Sequence, residues 1–95
     1  MASEVQVLNQ IVEFARARGI GRLTLFGSRA RGDALPRSDI DLAVEGGGDI
    51  DGFVEDVQER LWSLLEVDVV NLDGYASPAL RSDIARDGRV LYEKV

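Results

Sequence analysis

Apolar residues recur along the chain with two different periods, and the switches between them mark its elements. Val5, Leu8, Ile11, Val12 and Ala15 fall three or four residues apart, the spacing that puts one stripe on one side of a helix. Ser3 and Gln6 form a capping box ahead of that stripe, and Gly19 ends it. Arg22 to Phe26 is short and apolar-rich between Gly21 and Gly27, which predicts a strand entering a turn, with room for a single helical turn after Gly27. Ile40, Leu42 and Val44 then alternate with Asp39, Asp41 and Ala43, so a second strand should carry one greasy face and one acidic face. After Gly46, Gly47 and Gly48 the helical period returns at Ile50, Phe53, Val54, Val57, Leu61, Leu64 and Leu65, with Trp62 expected at the core edge. Val67 to Leu72 reads as a third strand. Ser77 as N-cap, Pro78 at the first helical position and Gly88 as a left-handed C-terminal cap delimit a third helix, and Val90 to Tyr92 a short last strand.

This order predicts an α/β sandwich with the helices packed on one face of the sheet. A length of 95 residues favours one domain over 1–95. Hydrophobic residues at 45% and charged residues at 29% suffice for a modest core, which argues against overall disorder.

Cysteine and histidine are both absent, which removes disulfides, thiolate nucleophiles, imidazole bases and nearly every zinc or copper site. Chemistry is left to carboxylates, hydroxyls, arginines and backbone amides. Carboxylates without softer ligands favour hard Mg²⁺ or Mn²⁺. A net charge of -6 and a pI near 4.5 argue against direct nucleic-acid binding, which needs a basic face. No apolar run approaches the roughly 20 residues of a membrane span, and Met1-Ala2-Ser3-Glu4 does not resemble the start of a signal peptide. A cytoplasmic protein is expected.

The chemistry gathers around the second strand. Asp39 and Asp41 lie two residues apart, so their carboxylates share a face with Cα atoms roughly 6.6 Å apart. Carboxylates this close repel unless a proton or cation intervenes, and a divalent metal relieves the repulsion while both stay ionised. Upstream, Gly27-Ser28 closes a strand and can open a short helix whose free N–H groups suit phosphate. Asp68 interrupts the apolar run Val67 to Val70; if its strand neighbours the second, it joins the same acidic face. Three oxygen donors could then serve one or two metals in a phosphoryl displacement. Each feature alone has a plainer meaning: a solvated acidic face, a tight turn, a lone exposed acid. Arg29, Arg31 and Arg37 crowd three of 11 basic residues into one short segment that could hold phosphate, dock a partner or simply meet water. Gly46-Gly47-Gly48 could be a mobile lid or a plain flexible linker.

Taken together, Gly27-Ser28-Arg29-Ala30-Arg31-Gly32 and Ser38-Asp39-Ile40-Asp41-Leu42-Ala43-Val44 resemble the G-S-x-A-x-G and S-D-x-D-L signature of minimal (MNT) nucleotidyltransferases of the DNA polymerase beta superfamily. Asp68 fits that family's third acid, and Ile84 to Tyr92 resembles its usual ending. The resemblance implies a polymerase beta palm-like fold, with a mixed sheet of about four strands. It implies transfer of AMP from ATP to a hydroxyl, with Mg²⁺ or Mn²⁺ held by Asp39, Asp41 and Asp68. Gly27, Ser28, Arg29 and Ser38 would lie along the nucleotide, and Asp68 could also take the acceptor's proton. Larger relatives carry a helical acceptor-binding domain, so here another protein is expected to present the acceptor. The family's usual partner is a HEPN-type helical ribonuclease toxin, modified on tyrosine, with the MNT chain as antitoxin in a hetero-oligomer. A steric, binding-only antitoxin and a small-molecule nucleotidyltransferase are the alternatives.

Overall fold

A computed structural model describes residues 3–61 and 63–95; Met1, Ala2 and Trp62, with the expectations placed on them, lie outside the described residues. The elements are α1 (Glu4–Ala17), β1 (Arg22–Phe26), α2 (Ser28–Arg31), β2 (Ile40–Glu45), α3 (Ile50–Arg60), β3 (Val67–Asn71), α4 (Pro78–Asp87) and β4 (Arg89–Glu93). At the start of α1 the Ser3 hydroxyl accepts from the Gln6 N–H (3.2 Å) and the Gln6 side chain accepts from the Ser3 N–H (2.9 Å). Such a cap is worth about 1 kcal/mol. The single turn expected after Gly27 is α2, four residues long.

The strands form one mixed sheet in the order β3-β2-β1-β4. β1 is antiparallel to both β2 and β4, whereas β2 and β3 are parallel. A parallel pair needs a crossover, and α3 supplies it. Its 11 residues rise about 16 Å, close to the length of the strand it runs back along. That match explains why α3 stops at Arg60 rather than continuing through Leu65. Leu64 is consequently fully exposed, and only Leu61 and Leu65 of that trio pack against the core.

One sheet face is built from the odd positions of β1 and the even positions of β2. Leu23, Leu25, Ile40, Leu42 and Val44 are all 0% exposed, under Val7, Ile11 and Ala15 of α1 and Phe53 and Val57 of α3. Each such side chain contributes about 1.5–3 kcal/mol of burial. The expectation that all helices share this face needs correcting for α4. Ile84, with Leu80 beside it, packs on Phe26 and Ala43, which point to the opposite side. The reason is local: the acidic face also carries Phe26, Ala43 and Val70, a small apolar area that α4 covers. The far part of that face is left to Asp41, half-buried, and Asp68, exposed.

Two glycine expectations change. Gly88 ends α4 with φ -66°, not in the left-handed region. Its lack of a Cβ matters because one would press on the Ile84 carbonyl and on Thr24 Cγ2 of β1, at 2.8 Å. Gly46, Gly47 and Gly48 do have positive φ, from 80° to 98°. They lie at the end of the sheet away from Asp39 and Asp41, so they are no lid over those acids. The Asp73 carboxylate accepts from the Gly46 and Gly47 N–H groups at 3.0 and 2.8 Å, which pins the turn.

Candidate active site

The end of the sheet where β1 finishes and β2 and β3 begin collects the acids. Asp41 is the register partner of Phe26 on β1 and of Asp68 on β3. Neighbouring strands lie about 4.8 Å apart, so the Asp41 and Asp68 side chains stand side by side on one face. Asp39 comes two residues earlier and is exposed. The sheet thus sets Asp41 beside Asp68, with Asp39 just ahead of β2. Burial pushes the Asp41 carboxyl above its ordinary range; the charges of Asp68 and Asp39 push the same way, and Arg31 opposes them. Among the described residues none of the three carboxylates has a hydrogen bond or ion pair.

Gly27 meets this cluster directly. Its backbone, at φ 74° and ψ -156°, is in a conformation open essentially to glycine alone. A Cβ there would collide with Asp41 Oδ2. The glycine is therefore required twice, to turn the chain out of β1 and to make room for the carboxylate. Ser28 follows as the first residue of α2, half-buried.

The arginines divide. Arg29 points inward and is 8% exposed. It donates to the Ser38 carbonyl from Nε (3.0 Å) and Nη2 (2.7 Å), to the Pro36 carbonyl from Nη2 (3.2 Å), and pairs with Glu4 through Nη1 (2.8 Å). Four of its five N–H groups are committed to protein, so Arg29 is spent largely on the fold. Ser38 likewise uses its hydroxyl to accept from the Leu35 N–H (2.9 Å) while its carbonyl receives Arg29. Arg31 faces outward, its charge felt at Asp41. It pairs with Asp33 and with Asp87 of α4, both at 3.2 Å. The Arg31–Asp87 and Arg29–Glu4 pairs escaped the sequence reading because the partners are 56 and 25 residues apart, with no local pattern to join them.

Three carboxylates with no soft atom fit a hard divalent ion, and the repulsion at Asp41 is what a cation relieves. As they stand, no three carboxylates among the described residues are gathered closely enough to hold one. A groove of about 320 Å³ lies elsewhere on the α4 side, lined by Arg22, Glu45, Arg81 and Ile84 among others. Its Arg22 is paired with Glu93 and Glu45, and Arg81 donates to backbone carbonyls. No helix among the described residues is long and apolar enough to cross a membrane.

A family model described as polymerase beta, nucleotidyltransferase, matches residues 9–95. The comparison with curated proteins gave no match. Among solved structures, the crystal structure of a toxin-antitoxin with AMP-PNP matches with a TM-score of 0.74 and 29% identity, over 92% of this chain and 73% of that one. The toxin-antitoxin MntA-HpeT carrying two aspartate-to-glutamate substitutions gives 0.73 and 27%, over 92% and 73%. A rebuilt structure of tri-AMPylated Shewanella oneidensis HEPN toxin with MNT antitoxin gives 0.70 over 97% and 74%, and at 23% identity shows the shared fold. Because the family match takes in every strand of the sheet and all but the start of α1, the chain belongs to the polymerase beta nucleotidyltransferase family.

Proposed function

We propose that this nucleotidyltransferase moves AMP from ATP to a hydroxyl, a tyrosine being favoured, on a HEPN-type helical toxin, and so acts as its antitoxin in the cytoplasm. The observation that carries the reading is the alignment of Asp41 with Asp68, beside Asp39 and against the Gly27-Ser28 turn, with no hydrogen bond or ion pair from the described residues spent on any of the three carboxylates. The toxin-antitoxin with AMP-PNP, similar over most of this chain, supports both the nucleotide and the partner.

Asp39, Asp41 and Asp68 would hold Mg²⁺ or Mn²⁺, and such ions, when bound, supply the positive charge that lets a triphosphate approach three acids. Asp39 and Asp68 are exposed and free to turn toward an ion, while Asp41 is held in place by its strand and by Gly27. The Gly27-Ser28 turn offers the Ser28 hydroxyl and the first N–H groups of α2 to phosphate oxygens, since those groups have no acceptor inside the helix. Arg31 adds a cation at the same edge. In the transfer the acceptor oxygen bonds to the α-phosphorus, the bond from that phosphorus to the bridging oxygen breaks, and pyrophosphate leaves. Asp68 would take the hydroxyl proton, and no histidine competes for that role.

The test is to incubate the protein with ATP, Mg²⁺ and its helical partner and to weigh the partner. Transfer adds about 329 Da per AMP, the mass of ATP less pyrophosphate. A partner neutralised without any gain in mass, by wild type and Asp68→Ala alike, would replace this reading with the steric antitoxin. Calorimetry of ATP binding with and without EDTA tests the metal: equal affinity in both would remove it from the site.

A further inference from the structure

Arg29 stands in the middle of the site's sequence motif, yet none of its hydrogen bonds goes to the three acids themselves. Its side chain is 5% exposed and sits on α2, directly after the Gly27-Ser28 turn. The guanidinium crosses to the segment that leads into β2, where Nε and Nη2 converge on the Ser38 carbonyl and Nη2 also reaches the Pro36 carbonyl. Ser38 is the residue immediately before Asp39. The segment 33–39 has no helix or strand of its own. Its described hydrogen bonds otherwise amount to the Leu35–Ser38 turn, the Asp33 N–H to the Ser28 carbonyl, and Asp33 to Arg31.

We infer that Arg29 is a positioning residue: it fixes the Ser38 carbonyl, and with it the direction in which Asp39 leaves the loop, so that the phosphate turn and the acids keep one mutual geometry. The inference rests on the proposed nucleotidyl transfer for its functional consequence, though the clamp itself is a property of the fold. A planar fork suits the task because several of its N–H groups can address neighbouring carbonyls at fixed angles. Lysine would keep the charge and could still meet Glu4, but its single nitrogen cannot hold both carbonyls in that arrangement. The Glu4 pair is the lesser part, since Glu4 is 52% exposed and such pairs contribute little. Hydrogen bonds from a buried cation to two carbonyls are stronger, and a carbonyl left without its donor loses that bond outright.

Three measurements test this. Arg29→Lys should fold, should speed amide hydrogen exchange in residues 33–39 without doing so in β1 or α3, and should raise the KM for Mg-ATP about 10–100-fold, the usual cost of loosening a group that orients a metal ligand. Arg29→Ala should lose transfer, and added guanidinium, which fits the space vacated, should restore part of it while leaving wild type unchanged. Exchange in the loop and a KM equal to wild type in Arg29→Lys, or no rescue of Arg29→Ala, would overturn the inference. Wild type that fails to transfer would defeat the proposed function instead, and the exchange measurement would still decide whether Arg29 holds the loop.

Discussion

The two ends of the sheet are built from the same materials, glycine turns and aspartates, and put them to opposite uses. At one end Asp73 accepts from the Gly46 and Gly47 N–H groups, which hold its carboxyl below the ordinary range. At the other, the Asp41 carboxylate lies against Gly27, takes no hydrogen bond from the described residues, and is pushed upward by burial and by Asp68 and Asp39. A satisfied carboxylate stabilises the fold; an unsatisfied group of carboxylates is a cost that the fold bears for a ligand. The residue types do not distinguish the ends. What distinguishes them is whether the protein itself answers the charge.

Neutralising one acid at each end breaks the comparison most sharply. Asp41→Asn should cut AMP transfer at least about a thousandfold, since several kcal/mol of charge stabilisation are lost, and thermal stability without metal should hold or rise as repulsion falls. Asp73→Asn should do the reverse, lowering the melting temperature and leaving transfer intact. Paired activity and melting measurements on both variants check this, and an Asp41→Asn protein that melts well below wild type would give the acid a structural role.

The glycines sharpen the same contrast at a smaller scale. Gly27→Ala forces a Cβ onto Asp41 Oδ2 at φ 74°, and displacing a carboxylate by about 1 Å at such a site costs about 100-fold in transfer. Gly47→Ala meets open space, so only its φ of 80° is penalised. That penalty, about 1–2 kcal/mol, should appear in denaturant unfolding and not in kcat. Smaller again is Arg31→Gln. Arg31 is 44% exposed on its side chain, so solvent screens it and its loss should raise the KM for ATP only about fivefold with kcat nearly unchanged.

The acidic end was legible in the sequence and the pinned end was not, for a physical reason. Strand alternation is a two-residue rule, so Asp39, Asp41 and the greasy face of β2 announced themselves, and Asp68 stood out against Val67, Val69 and Val70. The parallel pairing that sets Asp68 beside Asp41 is non-local, so the sequence left it conditional on the two strands being neighbours. By contrast, Asp73 and Gly46 are 27 residues apart and nothing local couples them, so three glycines in a row could only suggest flexibility. The direction of Arg29 was hidden in the same way: its place within the motif suggested phosphate, and its burial against Ser38, Pro36 and Glu4 depends on how α2 packs. The limit of α3 at Arg60 was set by the span of the sheet, which the apolar period through Leu65 does not encode.

The smallest expected effect concerns acid. Asp73 is depressed by the backbone N–H groups of Gly46 and Gly47, and Asp56 by its hydrogen bond to Arg18. A carboxyl whose folded value lies below its unfolded one stabilises the fold above the unfolded value, roughly pH 4, and that contribution is lost as pH falls through the folded value. Both residues should therefore add stability at neutral pH and progressively less below about pH 4. Asp73→Asn is close in shape to the protonated acid, so its melting temperature should fall short of wild type at pH 7 and approach it near pH 3. Thermal unfolding followed by circular dichroism across that range measures the gap. If it closes, the turn at Gly46 and Gly47 is held by charge-assisted hydrogen bonds. A gap that stays constant down to the lowest pH would mean that Asp73 holds the turn by something other than its charge, and no gap at any pH would leave the turn to the close backbone approach of Gly21 to Gly46 and of Gly19 to Gly48.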